Sequence, residues 1–107
     1  PVMLDHVNNN KLKLEQLINL ICENPVKIFG IKNKGYLKEN YDADITIVDL
    51  NKSIKIKNED IQSKCGWSPF HGYSFKGSPI ATIINGKIKM LNGKIIGQPE
   101  GQPLDFN

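Results

Sequence analysis

Two periodicities divide the chain. Over residues 2–29 the apolar positions recur every three or four residues, and beyond residue 43 they alternate or run in short β-branched blocks. The first spacing belongs to amphipathic helices and the second to strands. Met3, Leu4 and Val7 share one helical face within Val2 to Val7, and Asn8-Asn9-Asn10 follows as a turn. Leu12 to Glu23 carries the clearest stripe, Leu14, Leu17, Ile18 and Ile21, widened by Leu20. Asn24 predicts an N-cap and Pro25 the first position of a new helix. Val26, Ile28 and Phe29 make that helix apolar, and Gly30 ends it in a left-handed conformation.

The second half reads as strands. Tyr36-Leu37 predicts a short one, and Ala43 to Leu50 a longer one with a β-branched centre at Ile45 to Val48. Asn51-Lys52 predicts a turn. Ser53 to Lys57 alternates, with Ile54 and Ile56 facing inward. Asn58-Glu59-Asp60 is a capped turn, and Ile61 to Lys64 stands between a helical turn and a loop. Asn85-Gly86 and Asn92-Gly93 are type I′ hairpin signals. They join Ile80 to Ile84, Lys87 to Leu91 and Lys94 to Ile96 into a meander. Gln98 to Asn107, with Pro99, Gly101 and Pro103, is an extended arm anchored by Leu104 and Phe106. The pattern predicts an α+β chain, with short helices up to about residue 30 and antiparallel strands after it.

Length adds that 107 residues suffice for one small core. The net charge of +3 comes from scattered lysines without interleaved aromatics, so nucleic acid is not an expected partner. No apolar run is long enough to cross a membrane, and no signal peptide is expected, since the first residues lack a basic start and an apolar stretch. Cys22 and Cys65 are too few for a disulfide framework and read as free thiols of a cytoplasmic protein. The opening PVMLDHV has neither a cap nor a polar lead-in, which suggests the interior of a longer chain.

Candidate chemistry is sparse. HxH, HExxH, paired CxxC, GxSxG and P-loop motifs are all missing. His6 flanks a helical stripe without a partner nearby. His71 has no Asp or Ser at a spacing that would orient or use it. Asp42 and Asp44 fall at a strand entrance and Asp49 at its far end, too far apart to share one ion. Turn hydrogen bonding and strand-end solvation account for them better. The segment CGWSPFHGYSFKG (residues 65–77) is an ordered loop in which glycines and a proline set the backbone and Trp67, Phe70, Tyr73 and Phe75 hold it by burial. It serves either as a packed connection or as a substrate-side or interface loop. No catalytic, cofactor-binding or metal-binding residue is assigned.

The order of residues resembles a known family. NPVKIFG, then Lys34-Gly35, then DADITIVD is similar to the segment that follows the barrel in the amidohydrolase superfamily, with Asn40 where those enzymes usually carry Gly. The closing TIINGKIKMLNGKII resembles the last hairpins of cyclic amidohydrolases. Ser68-Pro69-Phe70 and its surroundings resemble dihydroorotases in particular, and the likeness runs through the whole chain. It implies that residues 1–30 are the last helices of a metal-dependent (β/α)8 barrel. It implies that residues 31–107 are the C-terminal part of a small composite β-sandwich with an extended tail. Family members hydrolyse or close a cyclic amide with one or two zinc ions. Their ligands, histidines, a carboxylated lysine and an aspartate, lie on barrel strands and match no residue here. Zinc is therefore expected in the full-length enzyme and not on this segment, which should be inactive alone. The expected partners are the rest of the amidohydrolase chain and a small cyclic amide, with a homo-oligomer open. A dihydroorotase acting in pyrimidine biosynthesis is expected. Hydantoinase, allantoinase and a free-standing β-rich interaction module remain alternatives.

Overall fold

The structure is a computed structural model that describes residues 1–107. Helix α1 (Val2–Asn8) buries Leu4, and the chain turns at Asn9 and Asn10. Helix α2 (Leu14–Ile18) starts where the Gln16 side chain accepts from the Lys13 N–H at 2.8 Å, half of a capping box.

The helix does not end at Glu23. A π-helical turn (Asn19–Glu23) leads directly into α3 (Asn24–Phe29). The expected cap at Asn24 is therefore absent: its backbone is helical at φ −64° and ψ −44°, and its N–H bonds Asn19 O, five residues back. The reason is Pro25. Its ring would crowd the carbonyl four residues earlier, and a widened turn just before it makes room without breaking the helix. Gly30 closes α3 at φ +63°, in the left-handed conformation that the sequence predicts.

Tyr36-Leu37 forms no strand, because no neighbouring strand reaches it. Ile31 instead pairs with Phe106 of the tail. Strand β1 (Ile45–Lys55) runs straight through the expected turn at Asn51-Lys52. The turn chemistry is spent inside the strand. Asp49 Oδ1 accepts from the N–H groups of Asn51 and Lys52 at 2.9 and 3.2 Å, where the register breaks between Asp49 and Ser53. This is a bulge, which bends the strand without reversing it. A single 3-10 turn (Asn58–Asp60) follows, and Ile61 to Lys64 makes no helix.

Strand β2 (Ser74–Ile84) lies antiparallel to β1, then β3 (Lys87–Leu91) and β4 (Lys94–Ile95) complete a four-stranded sheet in the order β1-β2-β3-β4. Pro79, which has no N–H to give a ladder, sits opposite Val48 at a register slip. Both Asn-Gly turns form, with Asn85 and Asn92 at φ +49° and +47°. The tail returns across the molecule. Glu100 sits between Lys89 at 2.5 Å and Lys87 at 3.1 Å, and Asn107 N donates to Gly30 O at 2.8 Å.

The core is small. Six residues are buried: Leu4, Leu17, Phe75, Gly77, Ser78 and Ala81. Of the α2–α3 stripe only Leu17 is covered, while Ile18, Leu20, Ile21, Ile28 and Phe29 are exposed. A folded monomer of this mass exposes about 6,000 Å². This chain exposes 8076 Å². The excess, about 2,000 Å², is the size of an extensive protein interface.

Candidate functional site

Three clusters hold the polar side chains that the fold brings together. The first is built on the DAD run. Lys34 reaches Asp42 at 2.9 Å and Asp44 at 2.5 Å. The other oxygen of Asp44 accepts from Asn85 N at 2.9 Å, and Gly86 N donates to Ala43 O at 3.0 Å. The strand entrance is thereby fastened to the β2–β3 turn. The Lys34 ammonium, and after it the Asn85 N–H, holds the Asp44 carboxyl below its usual range, and Lys34 is raised in return, chiefly by Asp44 and then Asp42. Asp49 points into its own bulge, away from this pair. Turn bonding thus accounts for Asp44 and Asp49, and Lys34 is the partner that sequence reading missed. A charge ten residues away carries no local signal.

The second cluster is the seam between α1 and the sheet. Asp5 Oδ1 accepts from Lys76 N at 2.8 Å, and Asn8 Nδ2 donates to Leu50 O at 2.9 Å and Lys76 O at 2.7 Å. Helix α1 approaches so closely that a Cβ on Gly77 would lie 2.6 Å from that of Leu4. Asn8 thus serves as a tether as well as a turn residue. His6, on the same helix, is half-buried, and its Nδ1 has no hydrogen-bond partner.

The third is the aromatic loop. Asn58 N donates to His71 Nδ1 at 2.9 Å, and Asn58 Oδ1 accepts from Ser68 N at 3.0 Å. His71 is therefore a structural acceptor that closes the loop. Phe70 packs edge-on against Tyr73 and Phe75, with ring centroids 6.3 and 5.7 Å apart. Burial holds only part of the loop: Phe75 is covered, whereas Trp67 is 59% exposed. The Cys65 thiol is exposed beside the Ser63 hydroxyl, which lowers its pKa, and Cys22 is half-buried on the helical run.

None of these clusters converges three metal-ligating side chains. His6 and His71 lie in different clusters, and no nucleophile is held against a base. The open cleft beside Lys34, Asp42, Asp44, Asn85 and Gln102 is mostly polar and is bound to turn geometry. The three clusters fasten elements of the fold together.

A model described as Amidohydrolase family matches residues 2–89. The chain belongs to the amidohydrolase family. It is 42% identical to a dihydroorotase of Pyrococcus furiosus, over 97% of this chain and 25% of that protein. It is 37% identical to an L-hydantoinase of Paenarthrobacter aurescens, over 90% of this chain and 21% of that protein. The solved structure of L-hydantoinase from Arthrobacter aurescens matches with a TM-score of 0.87 at 35% identity, covering 92% of this chain and 22% of that one. The inactive dihydroorotase-like domain of a Chaetomium thermophilum CAD-like multifunctional protein shares the fold, with a TM-score of 0.71 at 20% identity over 94% of this chain and 26% of that one. This amidohydrolase chain thus spans about a quarter of the length of the curated relatives it matches.

Proposed function

We propose that this chain is the supporting segment of a zinc-dependent dihydroorotase, an enzyme that reversibly hydrolyses dihydroorotate to N-carbamoyl-L-aspartate in pyrimidine biosynthesis. The observation that carries the reading is the 42% identity to a dihydroorotase over 97% of the chain. Two further relatives described as dihydroorotases, at 33% and 44% identity, support it. Residues 1–30 supply the last barrel helices and residues 31–107 the C-terminal part of the sandwich. The exposed stripe of Ile18, Leu20 and Ile21 and the about 2,000 Å² of excess surface are the faces that the barrel and the remaining sandwich strands cover.

The residues here do not fit a zinc centre, because no three His, Cys, Asp or Glu side chains come together. The metal belongs to the remainder of the enzyme, and this chain contributes no step of the reaction. Its work is to hold the barrel's last helices against the sheet through Asp5, Asn8 and Gly77.

A second reading is a hydantoinase, favoured by the structural match to L-hydantoinase at a TM-score of 0.87. One experiment separates them. The full-length protein is purified, its zinc content measured, and its turnover compared on dihydroorotate, hydantoin and allantoin. Preference for dihydroorotate is expected, and preference for hydantoin or allantoin overturns the proposal. The 107-residue chain alone is expected to show neither stoichiometric zinc nor turnover, and bound zinc there would overturn its assignment as a supporting segment.

A further inference from the structure

The chain contains the same tripeptide twice in the same kind of turn. Asn85-Gly86-Lys87 and Asn92-Gly93-Lys94 each follow an aliphatic residue and precede an isoleucine. Both asparagines are exposed and left-handed, at φ +49° and +47°. Asn-Gly is the dipeptide most prone to spontaneous deamidation, since glycine leaves the following nitrogen unhindered. In that reaction the backbone nitrogen of the glycine attacks the asparagine Cγ and loses its proton. Ammonia leaves, and a succinimide ring forms. Water then opens the ring to aspartate or isoaspartate. No oxidant or cofactor is required.

The surroundings of the two turns differ. Gly86 N is tied to Ala43 O at 3.0 Å, and Asn85 N to Asp44 Oδ1 at 2.9 Å, so the attacking nitrogen and the residue before it are held by the β1 entrance. Asn92 N is likewise tied, to Ile80 O at 2.8 Å, but Gly93 N has only the Met90 sulfur, at 3.4 Å, a weak acceptor, so the two turns differ at the attacking nitrogen. A Cβ at Gly86 would meet Ala43 at 4.0 Å, while one at Gly93 would meet nothing within 4 Å. The turn must also open, because a left-handed asparagine has to rotate before Cγ can reach the next nitrogen. Strand β4 is two residues long, so the β3–β4 hairpin opens more readily than the anchored β2–β3 turn.

We infer that Asn92 is a site of spontaneous deamidation and that the Ala43 and Asp44 contacts protect Asn85 from the same reaction. Each turn has an anchored asparagine N–H, so the one further hydrogen bond at Gly86 N, lost on opening, slows Asn85 by about threefold to tenfold relative to Asn92. The product carries a new carboxylate on the β3–β4 turn.

The test uses the full-length protein, incubated at mildly alkaline pH and mapped by peptide mass spectrometry with isoaspartate detection. The same map on urea-unfolded protein is the control, where the two sites should react at matched rates. Folded protein should deamidate at Asn92 about threefold to tenfold faster than at Asn85. Asp44→Ala should raise the Asn85 rate towards that of Asn92, and Gly93→Ala should slow Asn92. Equal rates in the folded protein, faster reaction at Asn85, or no reaction at Asn92 while the unfolded chain reacts, each overturns the inference.

Discussion

Replacing Gly77 with alanine tests the seam between α1 and the sheet at its tightest point. The backbone there has φ +109°, where an L-residue is strained, by about 1–3 kcal/mol. The new methyl would lie 2.6 Å from Leu4 Cβ and 3.4 Å from the Leu4 carbonyl carbon. Neither neighbour is the free end of a flexible side chain. Helix α1 must therefore shift, at an overpacking cost of about 1–3 kcal/mol. Moving it also loosens the Asn8 bonds to Leu50 and Lys76, so the costs couple rather than simply add. Before that coupling the two terms span about 2–6 kcal/mol, a large share of the stability of a typical domain. The comparison is Gly66→Ala. Gly66 also has positive φ, at +67°, but nothing lies within 4 Å of the added Cβ. It isolates the backbone component, about 1–2 kcal/mol. Denaturant unfolding of both variants in the full-length protein, followed by the Trp67 signal, gives the difference. If Gly77→Ala proved no more destabilising than Gly66→Ala, helix α1 would not be held against β2 as described.

The Asp44–Lys34 pair makes a prediction about pH. Asp44 is held below its ordinary value of 3.8, so its stabilisation is present above that pH and is lost as the solution is acidified through the lowered folded value. Lys34 is raised above 10.5, so its share is present below that pH and fades as the solution is made more alkaline than the raised value. Asp44→Asn should therefore flatten the acid limb of a plot of unfolding midpoint against pH; an unchanged limb would show that the pair carries no linkage. Asn58→Ala removes the acceptor for Ser68 N and should cost about 1 kcal/mol. Trypsin should then cut faster at Lys64, and an unchanged cleavage rate would remove Asn58 from its role as the clamp of the loop.

What the sequence determined by itself was the type and order of most elements. The period shift from 3.6 to 2 is local information, as is an Asn-Gly pair, so the helical front, the β2–β3–β4 meander and the Gly30 stop were legible. The family order was legible too, because NPVKIFG, the DAD run and the paired NGK turns stand at characteristic spacings. Local chemistry misled where a neighbour decided the outcome. Asn24-Pro25 looks like a helix start, but a π turn absorbs the proline and the helix continues. Asn51-Lys52 looks like a reversal, but pairing with β2 on both sides of the bulge carries β1 onward, bent and not reversed. Tyr36-Leu37 looks like a strand and has no strand beside it. The tethers were invisible for the same reason. Asp5 and Lys76 stand 71 residues apart, and Asn8 and Leu50 stand 42 apart, so only the tertiary structure could join them. Helical and strand periods report which face of an element is apolar. They do not report what covers that face, and for the stripe of Ile18, Leu20 and Ile21 nothing within these 107 residues does.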